Sequence, residues 1–336
     1  MIVTEFKMLK LFHAADANLS ALADAPVAIL GFGNQGHAHA LNLRDSGVSV
    51  IVGQRPGSPR FQQAKDAGFA PMPVRDAVRA ARLLILALPD DRMAAIYEQE
   101  IAPVLRPNQA MGFIHGFNIH FRLIVPPPGV DVVMVAPKGP GRLLRSAFQA
   151  GHGIAALMAI QHDATGRARP TALAWANGIG CTRVGVLETS FAHETVADLF
   201  GEQTVLCGGM IDLMKAAFDV LVDAGYPEEL AYFECVHEVK QIVDLIYDQG
   251  LSFMRDRISS TARYGGLVRG PELVTDETRC AMRAALADIV SGDFATRFVA
   301  DARSGSPELR AMTDQERRHR LNAARERLFS RLKAAE

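Results

Sequence analysis

Between Pro26 and about Leu187 the chain repeats one pattern: a short aliphatic run, then a stretch with helical spacing of its apolar residues. The runs are "PVAIL", "VSVIV", "LLILAL", "AMGFI", "VDVVMVA", "GIAALMAI" and "CTRVGVL". They lack the apolar–polar alternation of a half-exposed strand, so both faces must be covered. With crossovers between them, this predicts a mainly parallel sheet flanked by helices. After Glu188 the strand-like runs stop. From "ETVADLFGEQTVLCGGMIDLMKAAFDVLVDAG" onward the spacing is helical, with a break at Gly225-Tyr226-Pro227. The last stretch, "DQERRHRLNAARERLFSRLKAAE", predicts one charged amphipathic helix. The expected layout is an α/β domain over residues 1–188 and an all-α domain over residues 189–336.

The first strand–helix junction carries chemistry. "VAILGFGNQGHAHALNLRDSG" places Gly31, Gly33 and Gly36 after a strand and before a helical segment, with Asn34 and Gln35 inside the turn. Gly31 suits the tight turn, Gly33 lets backbone N–H groups approach a pyrophosphate, and Gly36 allows close helix packing. The helix N-terminus then offers its unpaired donors to the anion. This predicts a dinucleotide site in a Rossmann-like domain. The next strand, "VSVIVG", ends without the Asp or Glu that would hold a ribose 2′-hydroxyl. It continues "QRPGSPRF", where Arg55, Ser58 and Arg60 provide donors for a 2′-phosphate, so NADP is expected.

Two acidic pairs follow. "FECVHEVK" sets Glu234 and Glu238 four residues apart among Leu230, Tyr232, Phe233, Val236, Val239 and Ile242. Residues at that spacing share a helix face, and two carboxylates on a largely buried helix would repel and be costly to desolvate. "ADLFGEQ" contains a second such pair, Asp198 and Glu202. Together they offer four hard oxygen ligands of the kind Mg²⁺ takes. Spacing alone does not separate a metal site from an acidic surface, since such pairs are frequent on exposed helices. His237, between Glu234 and Glu238, points elsewhere on a helix and reads as a packed histidine.

Bulk properties narrow the class further. The 336 residues allow two substantial cores, and a formal net charge of -1 gives no general reason to expect nucleic acid or an anionic membrane as partner. Cys181, Cys207, Cys235 and Cys280 are scattered and read as reduced thiols, no apolar run reaches a membrane-spanning length, and a cleaved signal peptide is not expected. The expected location is cytoplasmic.

Several blocks resemble ketol-acid reductoisomerase of the short-chain type: "GFGNQGHAHALNLRDSG", "HGFNIHF", "VMVAPKGPG", "ETSFAHETVADLFGEQTVLCGG", "AGYPEELAYFECVHEVKQIVDLIY" and "ISSTARYG". The similarity is weak in the first twenty residues and fades after about residue 295. It implies NADPH as cofactor and two Mg²⁺ ions per site, with Asp198 and Glu202 as ligands and Asp198 as the bridge. Glu234 and Glu238 would complete the set from the partner subunit of a homodimer or higher oligomer with a shared active site. Glu238 would also take part in proton traffic. Ser259 matches the serine that holds the substrate carboxylate, and His115 and Lys138 match polar residues of the catalytic cleft. The helical domain is knotted in that family. The implied substrates are the acetohydroxy acids 2-acetolactate and 2-aceto-2-hydroxybutyrate, on the route to branched-chain amino acids.

On position alone, His115 at the end of "AMGFI" suits a cleft residue, since ligands bind beyond the carboxyl ends of strands. Lys138 equally suits a surface turn, and Ser259 by itself carries no signal. The chain departs from the family pattern at Arg60, at Arg122, where glycine is frequent, and at Ser260. It departs again at Arg263, where glutamate is usual, and at Gly266, where aspartate is usual. None of these removes an expected metal ligand. The alternatives are a divergent paralogue with a shifted substrate and a metal-independent NADP-dependent hydroxyacid or imine reductase.

Overall fold

The aliphatic runs become strands of one eight-stranded sheet in the computed structural model, which describes residues 8–333. The strands are β1 (Leu11–Phe12), β2 (Val27–Leu30), β3 (Val50–Gly53), β4 (Leu83–Leu86), β5 (Ala110–Phe113), β6 (Asp131–Pro137), β7 (Ala156–His162) and β8 (Val186–Glu188). Their order is β1-β8-β7-β6-β5-β4-β2-β3. From β3 through β6 every pairing is parallel, as is β7 with β8. The sheet is therefore the mainly parallel one that the runs predict. Two details differ. β7 runs antiparallel to β6, and of "CTRVGVL" only its end forms a strand, because Cys181–Arg183 closes into a 3₁₀ turn after the left-handed Gly180. β1 is an antiparallel edge strand on β8 that sequence periodicity does not reveal, being two residues long.

The helices around this sheet are α1 (Asn34–Asp45), α2 (Pro59–Asp66), α3 (Val74–Ala80), α4 (Asp90–Ile96), α5 (Phe117–His120), α6 (Gly141–Gln149) and α7 (Ala168–Gly178). Both sheet faces are dry. Val27, Ile29, Leu83 and Ile85 pack into one cluster around Trp175, while Ala28, Leu30, Leu84 and Leu86 pack into the other around Phe113. Side chains alternate across a strand, so this division is why the runs are continuously apolar. Each such aliphatic residue contributes roughly 1.5–3 kcal/mol by leaving water. One buried polar knot joins three helices. Asn42 donates from Nδ2 to the carbonyls of Leu144 and Ile179 and accepts at Oδ1 from Arg145.

The chain divides into two compact units, Met1–Thr195 and Val196–Glu336, with the division inside helix α8 (Phe191–Gly201). The second unit is helical: α9 (Gly209–Asp223), α10 (Glu228–Tyr232), α11 (Val239–Arg257), α12 (Ser260–Leu273), α13 (Asp276–Ser291), α14 (Asp293–Arg303), α15 (Pro307–Arg317) and α16 (Arg320–Lys333). Gly225, at φ 93, makes the expected break after α9, and Gly250, at φ 88, bends α11. The expected single C-terminal helix is two. They part where His319 and Arg320 are held by Asp219 at 3.1 and 2.7 Å. Residues 334–336 of that stretch lie outside the described residues.

This unit buries little on its own. Its described core is Phe218, Ala231, Tyr232, Ala324 and Leu328. Val220, Val243, Tyr247, Leu251, Tyr264 and Leu267 remain exposed. The expectation of a largely buried helix around Glu234 and Glu238 is therefore corrected: in the single chain both carboxylates are exposed, and so is much of α11. Tyr232 is buried and Phe233 and Val236 pack on that core, but Leu230 is exposed and Val239 and Ile242 are only half-buried in one copy.

Candidate active site

The glycine loop after β2 has the geometry its residues dictate. Gly31 sits at φ +100, and a Cβ there would meet the Ala87 carbonyl oxygen at 2.5 Å. A Cβ on Gly36 would meet the Gly31 carbonyl at 2.4 Å, so the first turn of α1 lies directly on the loop. Gly33 is different: a Cβ there meets nothing within 4 Å. The bare face of Gly33 and the amino end of α1 together leave room where an anion can reach backbone donors. The loop is braced from β6 by the "GPG" turn. Gln35 donates to the Gly139 carbonyl at 2.9 Å, and a Cβ on Gly141 would lie 2.0 Å from the Asn34 carbonyl oxygen.

At the end of β3 the residue in the place of a ribose-binding acid is Gln54, whose side chain accepts from the Arg55 N–H. Ser58 caps α2 by accepting from the Phe61 N–H, Arg60 donates to Gln63 at 2.8 Å, and Arg55 is exposed. His37, in the first turn of α1, is held below its ordinary range by burial and then by the charges of Arg145 and Arg60. The surroundings of this loop are cationic. The site lies where β2 feeds β3 on one side and β4 on the other, the switch point at which open α/β sheets bind nucleotides.

The carboxyl ends of β5 and β6 deliver His115 and Lys138 to one carboxylate, Glu194 of α8. Lys138 Nζ lies 2.9 Å from Glu194 Oε1, His115 Nδ1 lies 3.1 Å from Oε2, and the Gly116 N–H donates to Oε2 at 3.1 Å. Glu194 is 1% exposed. Burial alone would raise its carboxyl, but the His115 hydrogen bond and charge, followed by those of Lys138, hold it below its usual range. It is a buried anion paired with the Lys138 ammonium and hydrogen-bonded to the His115 ring. Gly116 must be glycine-sized, since a Cβ would meet Thr195 Oγ1 at 2.3 Å. Nearby, after β4, the half-buried Asp90 is bonded to the fully buried Asn118, whose Nδ2 donates at 3.2 Å to both its backbone carbonyl and its Oδ1. Burial pushes the Asp90 carboxyl up, against the pull of His115 and of Asn118.

A widened helical turn begins at or contains an acid of each pair, Glu202 in one and Glu234 in the other. Glu202–Leu206 and Phe233–His237 are π-helical: the N–H of Cys207 donates to the Glu202 carbonyl at 2.8 Å and that of Glu238 to Phe233 at 3.1 Å, each five residues back. π turns interrupt helices mainly at functional sites. The first is made possible by "CGG": Cβ atoms on Gly208 and Gly209 would lie 2.0 and 2.1 Å from the carbonyls of Gln203 and Thr204. Asp198 is half-buried and Glu202 exposed. His237 packs edge-on against Phe233, with centroids 4.9 Å apart. Ser259 is the N-cap of α12, accepting from the Ala262 N–H at 3.1 Å.

Three departures from the family pattern can be followed in the structure. Arg122 adopts φ 55 just beyond the C-cap of α5, a position that favours glycine. Arg263 pairs with Asp256 at 3.3 Å, and a Cβ on Gly266 would lie 2.6 Å from Arg255 Nη1. Sequence reasoning did not single out Glu194, Asp90 or Asn118. For Glu194 a signal existed: it precedes Asp198 by one helical turn, so the acidic spacing runs 194, 198, 202.

Two family models match the chain: "acetohydroxy acid isomeroreductase, NADPH-binding domain" over residues 21–185, and "ketol-acid reductoisomerase, C-terminal domain" over residues 191–333. A solved NADH-preferring ketol-acid reductoisomerase from an uncultured archean is 41% identical, with a TM-score of 0.93. The match covers 96% of this chain and 99% of that one. A semialdehyde dehydrogenase NAD-binding protein from Cupriavidus necator matches at 18% identity and TM-score 0.63, covering 80% of this chain and 99% of that one. A 1-pyrroline-5-carboxylate reductase from Streptococcus pyogenes matches at 15% and 0.51, covering 80% and 98%. The last two are likenesses of fold alone.

Proposed function

The chain belongs to the ketol-acid reductoisomerase family, and from that premise we propose that it converts 2-acetolactate or 2-aceto-2-hydroxybutyrate to 2,3-dihydroxy-3-alkyl acids with NADPH and Mg²⁺. The observation that carries this reading is the buried Glu194 carboxylate joined to His115 and Lys138 at the carboxyl ends of β5 and β6. The reaction moves an alkyl group between adjacent carbons as a tertiary alcohol becomes a ketone, and a hydride then reduces that ketone.

The donor set fits a hard divalent cation: Asp198 and Glu202 provide oxygen ligands one and two helical turns beyond Glu194, and Glu234 and Glu238 provide two more. Two Mg²⁺ ions held there supply Lewis-acid polarisation of the substrate oxygens. The open face of Gly33 equally fits a pyrophosphate, with Gly31 and Gly36 shaping the loop and Asn34 and Gln35 inside it. Arg55, Ser58 and Arg60 read the 2′-phosphate. Of the chain's own groups, Glu238 takes and returns the hydroxyl proton, and Ser259 holds the substrate carboxylate. Glu194 keeps the His115 ring and the Lys138 ammonium in place at the reacting oxygens. Glu234 and Glu238 come from a second copy; the exposed apolar residues of the helical unit, Val243, Tyr247 and Leu251 among them, support such a homodimer. The expected location remains cytoplasmic; among the described residues no helix is long and apolar enough to cross a membrane.

The test is NADPH oxidation with racemic 2-acetolactate, with and without Mg²⁺, with Glu238→Gln as control. Strict Mg²⁺ dependence, loss in the variant and a dihydroxy-acid product are expected. Metal-independent reduction of other keto acids would reassign the chain as a simple reductase, and turnover only of altered acetohydroxy acids would mark a divergent paralogue. Cofactor choice is tested alongside. The absence of an acid at Gln54 favours NADPH, whereas the relative from the uncultured archean is NADH-preferring. A larger kcat/KM with NADH would overturn the assignment of Arg55, Ser58 and Arg60.

A further inference from the structure

The turn from α11 into α12 gathers arginines that the fold does not neutralise. "MRDRISSTARYGG" sets Arg255, Arg257 and Arg263 around Ser259, and α12 has no acid in its first turn. Residues 259, 263 and 266 are spaced by four and then three, so they line one face of α12. Side chains on a helix lean toward its amino end, and Arg263 does so: its Nη1 reaches back past Ser259 to Asp256 at 3.3 Å. Gly266 shapes the rest of this face. A Cβ there would lie 2.6 Å from Arg255 Nη1, so the bare glycine is what lets the half-buried Arg255 side chain rest against α12. Arg257 turns away onto the Phe253 ring, 4.8 Å from its centroid. Among the described residues no carboxylate pairs with Arg255, and the Arg263–Asp256 contact is exposed and contributes little. The face that carries Ser259 therefore holds two guanidiniums to one carboxylate. A guanidinium left half-buried without an acid is a ready donor for an anion from outside the chain.

We propose that Arg255 and Arg263 form an anion subsite beside Ser259, which selects acetohydroxy acids whose migrating alkyl group ends in a second carboxylate. The inference rests on the reaction proposed above and on Ser259 as the residue that holds the first carboxylate. At a rise of 1.5 Å per residue, Arg263 stands about 6 Å along the axis from Ser259. A three-carbon chain between two carboxylates bridges that span, as in 2-acetyl-2-hydroxyglutarate. With this substrate the carboxyethyl group leaves the carbinol carbon and bonds to the neighbouring ketone carbon. The carbinol oxygen gives up its proton and becomes the new ketone, while the old ketone oxygen takes a proton and becomes a hydroxyl. The new ketone then takes the hydride of NADPH and a solvent proton, giving 2,3-dihydroxy-3-methyladipate and NADP⁺.

The experiment compares kcat/KM for 2-acetyl-2-hydroxyglutarate with that for 2-acetolactate, on the full chain with NADPH and Mg²⁺. The wild type is expected to favour the diacid by at least ~10-fold, about the effect of one charge-assisted hydrogen bond. Arg263→Gln and Arg255→Gln should each lower the ratio of the two values by ~10–100-fold. A wild type that favours 2-acetolactate overturns the proposal, as does a ratio that neither variant moves. Size-exclusion chromatography of the same samples tests the competing account. Dissociation of the oligomer with an unmoved ratio means that the arginines pair with a second copy, and it overturns the subsite. Binding is read without turnover, by titrating the chain holding NADP⁺ and Mg²⁺ with 2-hydroxyglutarate and with lactate. Tighter binding of 2-hydroxyglutarate that weakens in Arg263→Gln supports the subsite even where neither acetohydroxy acid reacts, and that lack of reaction counts against the proposed function alone. Equal binding of the two acids overturns the subsite and leaves the proposed function standing wherever 2-acetolactate turns over.

Discussion

Gly33→Ala isolates the cofactor loop from the fold. The backbone at Gly33 is extended, at φ -81 and ψ -160, so alanine meets no backbone strain, and its methyl would find nothing within 4 Å. Two small effects on stability oppose each other: fewer unfolded conformations stabilise by about 0.4–1 kcal/mol, and a poorer N-cap for α1 costs a similar amount or less. The melting temperature should therefore stay near that of the wild type. Cofactor binding should not. The methyl occupies the space where phosphate oxygens must approach the loop, and losing one charge-assisted hydrogen bond removes about 1.5–3 kcal/mol, or ~10–150-fold in Kd. NADPH fluorescence titration and a thermal melt on the same sample read both quantities. Gly141→Ala is the contrast. Its Cβ would lie 2.0 Å from a backbone oxygen of Asn34, so it must push α6 off the loop and lower stability as well as affinity. Wild-type NADPH affinity in Gly33→Ala would refute the placement of the pyrophosphate over that glycine.

Three further outcomes follow. Burial holds the His39 imidazole down at about 3, its Nδ1 accepting from Trp175 Nε1 at 3.1 Å, so below about pH 6.5 the unfolded chain takes a proton that the native state refuses. Stability should fall from there toward pH 3, by about 2 kcal/mol at pH 5; His39→Gln should lack that component in urea unfolding read from Trp175, the sole tryptophan. Arg122→Gly should raise stability by about 1 kcal/mol because it relieves the left-handed backbone at φ 55; a lower denaturation midpoint would count against the strain. Glu194→Gln should lower kcat by at least ~100-fold while NADPH affinity stays within about twofold, since Lys138 loses its ion-pair partner and His115 the carboxylate that holds its ring; retained kcat would remove Glu194 from the site.

What the sequence discloses follows from what each element depends on. Strands such as β2 and β4 are legible because both faces are buried and every residue is apolar. β1 is invisible, because two residues carry no period and it exists only by pairing with β8. The direction of β7 is equally hidden, since hydrophobicity does not encode polarity of the chain. His115 can be placed at a strand end by position alone, whereas Lys138 on position equally suits a surface turn. Their meeting on Glu194 joins residues 79 and 56 positions apart, which no local pattern reports. The apolar residues around Glu234 and Glu238 misled for a physical reason. Hydrophobicity signals that a surface will be covered, and one copy of the helical unit does not by itself cover it.

The widened turns at Glu202–Leu206 and Phe233–His237 have a bearing on how length variation in this chain can be tolerated. Each holds one residue more than a regular helix needs. Deleting a single residue there would restore an unbroken α-helix at little local cost. The wide turn absorbs its extra residue locally, so the flanking segments would keep their phase. What would change is the turn itself: Glu202 opens one and Glu234 lies in the other, and each would be re-aimed on a regular α-helix. A gap of one residue in these two turns would therefore be conformationally mild and would act on a single carboxylate in each.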